Sequence, residues 1–152
     1  MKVLILASQL HVGAAELLAV ELAANLNKSG ICTELASMYS DNMEWAPAAR
    51  SQVLASGIPG VHFLGLHVSP TIPQLGRAAL SLRRLLLDGK FDFIETSSPS
   101  LGILASLAST GTRVRQVVGL HQTFYRPEHK SMRPRLFARF TPARRSTRFY
   151  AV

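Results

Sequence analysis

The chain has 152 residues, 47% of them hydrophobic and 17% charged, with a formal net charge of +8. That size and composition describe one globular domain with a substantial core and exclude a disordered or low-complexity segment. No apolar run approaches the roughly 18–20 residues that cross a bilayer, and the single cysteine, Cys32, rules out an intramolecular disulfide and fits a reducing compartment.

The first strand is predicted at residues 2–7, Lys2-Val-Leu-Ile-Leu-Ala7. This N-terminus reads as a strand rather than a signal peptide, because no small-residue cleavage site follows it. It leads through Ser8-Gln-Leu-His-Val-Gly-Ala-Ala-Glu16 into a helix over 14–28. There Leu17, Leu18, Leu22 and Leu26 have the three-to-four spacing of a buried stripe. A strand that delivers a small-residue turn to a helix N-terminus makes a site for anions, since unpaired N–H groups and the helix dipole point outward there. Gly13, and with less weight Ala14 and Ala15, would let a ligand approach the backbone; the alternative is a tight turn with no ligand. Glu16 falls in the first helical turn, where the dipole favours a carboxylate.

Gly30 suits the left-handed residue that stops this helix. Further strands are predicted near 31–37, 60–65, 91–95, 114–120 and 147–151, and further helices near 46–56, 71–88, 99–109 and 130–140. Gly57-Ile-Pro59 closes the second helix and Asp88-Gly89 the third. Ser98 is placed to cap the fourth, with Pro99 in its first turn. Cys32 falls in the second strand and is expected to be a buried, inert thiol. The strands are continuously apolar, as when helices cover both faces of a sheet. The alternation predicts an α/β, Rossmann-like, doubly wound and mainly parallel sheet. Ligands of such sheets bind beyond the carboxyl ends of the strands, which directs attention to loops 8–15, 37–45, 66–70, 95–100 and 120–130.

Charge is unevenly spread. Residues 1–125 hold nine Lys/Arg against eight Asp/Glu, whereas 126–152 hold eight against Glu128 alone. On a helix Met132, Leu136 and Phe140 fall four apart with Phe137 beside them, and Lys130, Arg133, Arg135 and Arg139 occupy much of the remaining surface. Two readings stand: an amphipathic element lying on anionic lipid, or a helix packed on the sheet with a solvated polar face. Nucleic acid is disfavoured, because few aromatics suit base stacking. The histidines lack zinc spacing and no second cysteine exists, so no metal is expected. His62, His67 and His129 read as structural or solvated.

The common ligands of doubly wound sheets fit poorly. The first loop has one glycine where a dinucleotide fingerprint has three, Glu34 lies inside the second strand rather than at its end, and no P-loop motif occurs. Another pattern runs the length of the chain: Val12-Gly-Ala-Ala-Glu16, Leu26-Asn-Lys-Ser-Gly30, Gly57-Ile-Pro-Gly-Val-His-Phe-Leu-Gly65, Leu82-Arg-Arg-Leu-Leu86, Phe91-Asp-Phe-Ile-Glu-Thr96, Val117-Val-Gly-Leu-His-Gln-Thr-Phe124 and Thr147-Arg-Phe-Tyr-Ala-Val152. In order and spacing it resembles the N-terminal, acceptor-side domain of family 4 glycosyltransferases of the GT-B fold, retaining enzymes that use nucleotide-sugar donors. Two departures stand out. Ala14 replaces the second glycine of the family's first loop, and Ser97-Ser98-Pro99 stands where a histidine often follows the fourth strand.

The resemblance implies that His121 faces the donor sugar and contributes to catalysis. It implies that the 13–16 loop touches donor phosphate or acceptor, with His11, Ser97 and Ser98 as further candidates to line the cleft. It implies no cofactor, a nucleotide-sugar donor for the complete enzyme, and a sugar, glycan or lipid acceptor. The family's second, donor-binding domain is expected to be absent from residues 1–152, leaving an acceptor-side half that is inactive alone. A cytoplasmic setting follows, peripheral at the inner membrane face if the tail meets lipid. A non-catalytic membrane-docking or regulatory subunit of a split enzyme, and a degenerate remnant of one, remain as alternatives.

Overall fold

The computed structural model describes residues 1–10, 14–67, 70–120 and 147–151, with the backbone alone at 14, 15, 99, 120 and 147–151. In chain order its elements are β1 (Lys2–Ala7), α1 (Ala14–Lys28), β2 (Cys32–Tyr39), α2 (Ala46–Ala55), β3 (Val61–Leu66), α3 (Ile72–Asp88), β4 (Phe93–Thr96), α4 (Pro99–Ala108), β5 (Arg115–Leu120) and β6 (Thr147–Ala151). The expected helix over 130–140 lies outside the described residues. The strands form one sheet in the order β3-β2-β1-β4-β5-β6, and every neighbouring pair is parallel. This is the doubly wound architecture that the alternating sequence implies.

Local chemistry sets the boundaries. Gly30, at φ +79°, takes the left-handed conformation after α1. Asn27 then ties that helix end to β2: its side-chain amide donates to the Ala23 and Thr33 carbonyls, and its Oδ1 accepts from the Thr33 N–H. At the start of α3 the Gln74 side chain accepts from both the N–H and the hydroxyl of Thr71, at 2.7 and 3.1 Å. After α3 the left-handed residue is Lys90, at φ 51°, and not Gly89. Gly89 is required for another reason, since a Cβ there would collide with the Phe91 ring and the Leu85 carbonyl. Phe91 N–H still bonds to Leu86 O, which delays β4 to Phe93, two residues later than the hydropathy suggests.

The sheet separates two cores. On one face α3 and α4 bury Leu82, Leu86, Leu101 and Leu104 against Leu4, Leu6 and Ile94. On the other, α1 and α2 bury Ala19, Ala23, Ala49 and Val53 against Val3, Ile5 and Leu35. A buried polar bridge fixes α4 to β5. Gln116 donates to the Gly102 carbonyl and accepts from the Ser106 hydroxyl, both at 2.7 Å.

Two expectations are corrected here. The buried stripe of α1 is alanine: Leu17, Leu18 and Leu22 are 53%, 46% and 37% exposed, while Ala19 and Ala23 meet the sheet. Small residues let the helix lie close to β1 and β2 and turn the leucines to its flanks. Cys32 is also exposed, because it is the opening residue of β2 at the amino edge of the sheet.

At that amino edge three strands are clamped by one carboxylate. Glu34 accepts from Lys2 Nζ at 2.7 Å and meets His62 Nε2 at 2.6 Å. Gly60 makes room for it, since a Cβ there would stand 2.7 Å from Glu34 Oε2. Burial pushes the Glu34 pKa up, but hydrogen bonds from Lys2 and His62 and their charges outweigh burial and hold it below its ordinary value. A carboxylate with a depressed pKa stabilises the fold above its unfolded-state pKa, and that contribution is lost as pH falls through the folded-state value. Glu34→Gln is therefore expected to cost about 1–3 kcal/mol at pH 7. Thermal melts between pH 7 and pH 3 should show the difference between wild type and variant shrinking with acidification.

Candidate functional site

All six strands point the same way, so their carboxyl ends share one edge of the sheet. The N-termini of α1, α2, α3 and α4 all open onto that edge. The chain steps outward from β1 to β2 and β3, then returns to place β4 on the other side of β1. The switch in direction therefore falls between β1 and β4, and a crevice opens there because α1 leaves over one face and α4 over the other. Ala7 and Thr96 are the last residues of these two strands.

The rim of the crevice is held by short polar side chains. Ser8 Oγ donates to Glu16 Oε1 at 2.8 Å, closing the loop between β1 and α1. The Ser8 carbonyl accepts from Ser37 Oγ at 3.3 Å, and Ser37 Oγ in turn accepts from the Tyr39 N–H. The ends of β1 and β2 are thus tied to the first turn of α1. Across the crevice, Ser98 caps α4 by accepting from the Leu101 N–H at 3.4 Å, with Pro99 as the first helical residue. Ser97 beside it is half-buried.

Thr96 adds a feature that sequence reasoning missed. Its side chain is fully buried in register with Leu6 and Val118, and its hydroxyl has no hydrogen-bond partner. Among the described residues it is the one buried side-chain polar atom in that state. A threonine ending a strand carries no motif, so nothing in the sequence marked it. Ser8 and Ser37 were equally silent, because their link joins strand ends 29 residues apart.

The structure brings the sequence candidates Ala14, Ala15, Glu16, Ser97 and Ser98 to the two lips of this crevice. Ala14 and Ala15 are the first two residues of α1. Glu16 has a role within the fold, since its carboxylate is engaged by Ser8. Gly13, His11, His121 and the tail residues Lys130, Arg133, Arg135, Phe137, Arg139 and Phe140 lie outside the described residues. Among the described residues no group of three or more His, Cys, Asp or Glu is placed to hold a metal ion. None of the described helices is long and apolar enough to cross a membrane.

The family model for the glycosyl transferase 4-like domain matches residues 13–152, and the chain belongs to that family. Solved structures with the same fold are glycosyltransferases of the GT-B type. HepE of Anabaena, solved with UDP-glucose, is 21% identical with a TM-score of 0.68, over 97% of this chain and 36% of its own. The same protein solved with UDP and glucose gives 20% identity and a TM-score of 0.66. MurG of Acinetobacter baumannii is 12% identical with a TM-score of 0.65, over 91% of this chain and 39% of its own. The chain thus spans little more than a third of these proteins. Among curated proteins none matches the sequence.

Two substitutions separate structural from ligand roles on these lips. Ser98→Ala is expected to cost about 1 kcal/mol of stability through the lost cap, read from chemical denaturation. Thr96→Val keeps the shape and removes an unpartnered hydroxyl. It is expected to leave stability unchanged or raise it by about 1 kcal/mol in the same measurement.

Proposed function

We propose that this domain is the acceptor-side half of a retaining glycosyltransferase that takes its sugar from a nucleotide-sugar donor. The observation that carries this reading is the family match over residues 13–152, and the crevice at the β1/β4 switch point supports it. In this reading the donor lies between the crevice and a second, donor-binding domain outside residues 1–152. The N-terminus of α1 presents unpaired N–H groups toward the donor phosphates. Gly13, Ala14 and Ala15 form the wall of close approach, with Ala14 narrowing it by one methyl group relative to glycine. His121, which directly follows β5 in the sequence, supplies a hydrogen bond to a sugar hydroxyl at the reacting centre. His11, Ser97 and Ser98 complete the acceptor side.

The reaction transfers the sugar to a hydroxyl of a glycan, lipid or small-molecule acceptor, with no resident cofactor or metal. The basic segment containing Lys130, Arg133, Arg135 and Arg139, with Phe137 and Phe140, holds the domain at an anionic membrane on its cytoplasmic face. This agrees with the concentration of positive charge after residue 125.

The test uses UDP-glucose as donor and measures sugar transfer and donor hydrolysis. Residues 1–152 alone are expected to show neither. Turnover is expected once the domain is joined to its donor-binding half, falling at least 100-fold in His121→Ala. Turnover by residues 1–152 alone overturns the half-enzyme reading. An assembled protein that binds donor yet transfers nothing to any hydroxyl points to a regulatory subunit or remnant instead. For the membrane role, co-sedimentation with phosphatidylglycerol vesicles is expected at low salt and should be lost in 0.5 M salt on the order expected from charge screening. Binding that survives salt, or its absence throughout, contradicts an electrostatic contact.

A further inference from the structure

Beyond the crevice, the carboxyl edge carries a cluster of aromatic side chains around the loop that follows β2. Tyr39 ends β2, Trp45 stands just before α2 and Phe63 lies in β3. The Trp45 ring meets Tyr39 edge-on, with centroids 6.5 Å apart and planes at 81°. It meets Phe63 at 6.3 Å with planes at 44°, and the Arg50 guanidinium stands 5.1 Å from the Phe63 centroid. All three rings are half-buried, so each packs on the fold and keeps part of its surface in solvent. Trp45 is the one tryptophan of the chain. In the same loop Asp41, Asn42 and Glu44 are exposed.

The loop is held in a set shape. The N–H of buried Ser40 donates to the Leu66 carbonyl at 2.9 Å, which ties the loop to the end of β3. Ser40 Oγ accepts from the Asn42 N–H at 3.2 Å and donates to Asp41 Oδ1 at 3.5 Å, and the Ala46 N–H closes the turn on the Met43 carbonyl at 2.9 Å. The ladder between β2 and β3 is irregular beside it. Ser37 pairs with Phe63 and Tyr39 with Leu66, so β3 carries one extra residue there, with Gly65 at φ +76°. A bulge of this kind bends a strand and re-aims its side chains next to a site. Rings fixed in this way lose little freedom when a ligand is bound.

We propose that Trp45, flanked by Tyr39 and Phe63, is a subsite for a sugar ring of an oligosaccharide acceptor. The proposal rests on the functional reading above and names the class of acceptor. A pyranose ring has an apolar face of C–H groups and a rim of hydroxyls; the aromatic cluster matches the first, and Asp41, Asn42 and Glu44 can accept hydrogen bonds from the second. Charge separates this occupant from others. Residues 40–45 hold two carboxylates and no Lys or Arg, which repels a phosphate or an anionic lipid headgroup and does not repel a neutral sugar. Position sets the length of the acceptor. Strands lie about 4.8 Å apart, so β3 is about 10 Å from β1, where the crevice begins. A sugar unit advances a glycan by about one strand spacing, so the ring on Trp45 is two or three units from the hydroxyl that reacts.

The test uses the full-length protein from its source cells on immobilised glycans of one to four sugars. These cover glucose, galactose, mannose and N-acetylglucosamine in α and β linkage. Binding to a subset of the tri- and tetrasaccharides is expected, with none to monosaccharides. Trp45→Ala is expected to weaken it about tenfold, the equivalent of one lost aromatic stack, while Trp45→Phe retains most of it. Because Trp45 also packs on the core, Asp41→Ala with Glu44→Ala, both exposed, is the variant that leaves the fold intact, and it too is expected to weaken binding. Failure to bind any glycan, or binding unchanged in Trp45→Ala and in the Asp41/Glu44 variant, overturns the proposal. Sugar transfer to a lipid or small-molecule acceptor with the same KM in wild type and both variants also overturns it, and leaves the functional reading standing. Glycan binding that depends on these residues, in a protein that adds no sugar to the bound glycan from any nucleotide sugar, supports the subsite and overturns the functional reading.

Discussion

The parallel direction of every strand is the constraint from which the rest follows. Parallel neighbours cannot be joined by a tight turn, so each strand must be followed by a crossover that returns to the starting edge. That requirement produces the helices, places their N-termini at one edge and gathers the loops there. The order β3-β2-β1-β4-β5-β6 then makes β1 the pivot. Both directions of growth start from it, and the crevice between the diverging helices α1 and α4 is a geometric result of that order. No residue has to be specialised to create it.

The two edges of the sheet divide the work. At the amino edge charge and packing hold strands together: Lys2, Glu34 and His62 span β1, β2 and β3, and Lys2 also sits 4.5 Å from the centre of the Phe91 ring. Asp92 adds a second clasp, donating its N–H to the Lys2 carbonyl while its carboxylate accepts from the Lys2 N–H. At the carboxyl edge the partners are small. Ser8, Ser37 and Ser98 make hydrogen bonds that set loop positions with short side chains. The charged contacts thus lie at the amino edge and the short polar ones at the carboxyl edge.

Much of this was legible in the sequence, for identifiable reasons. Helix α1 was read at its observed bounds because a glycine ends it and its apolar residues recur at helical spacing. The Ser98-Pro99 start of α4 was equally plain. What escaped depended on contacts between distant residues. The α1 leucines read as a buried stripe because periodicity does not show which face meets the sheet, and the small alanines pack closer to it. Cys32 read as buried because membership of a strand was taken for membership of the core, whereas it stands at the strand's exposed opening. β4 begins at Phe93 because Phe91 still belongs to the turn that closes α3. At the site, the loops were identified from topology, but the Ser8–Glu16 bond and the unpartnered Thr96 hydroxyl come from tertiary placement alone.

The central claim is that the carboxyl edge at the β1/β4 switch point is where this domain meets donor and acceptor. Hydrogen exchange on the protein assembled with its donor-binding half, with and without UDP-glucose, tests it most directly. The account predicts that the nucleotide sugar slows exchange of amides at the start of α1 and in residues 96–101, and leaves Lys2, Glu34 and His62 unchanged. Protection confined to the amino edge, or no change at the β1/β4 crevice when donor is bound, would contradict it.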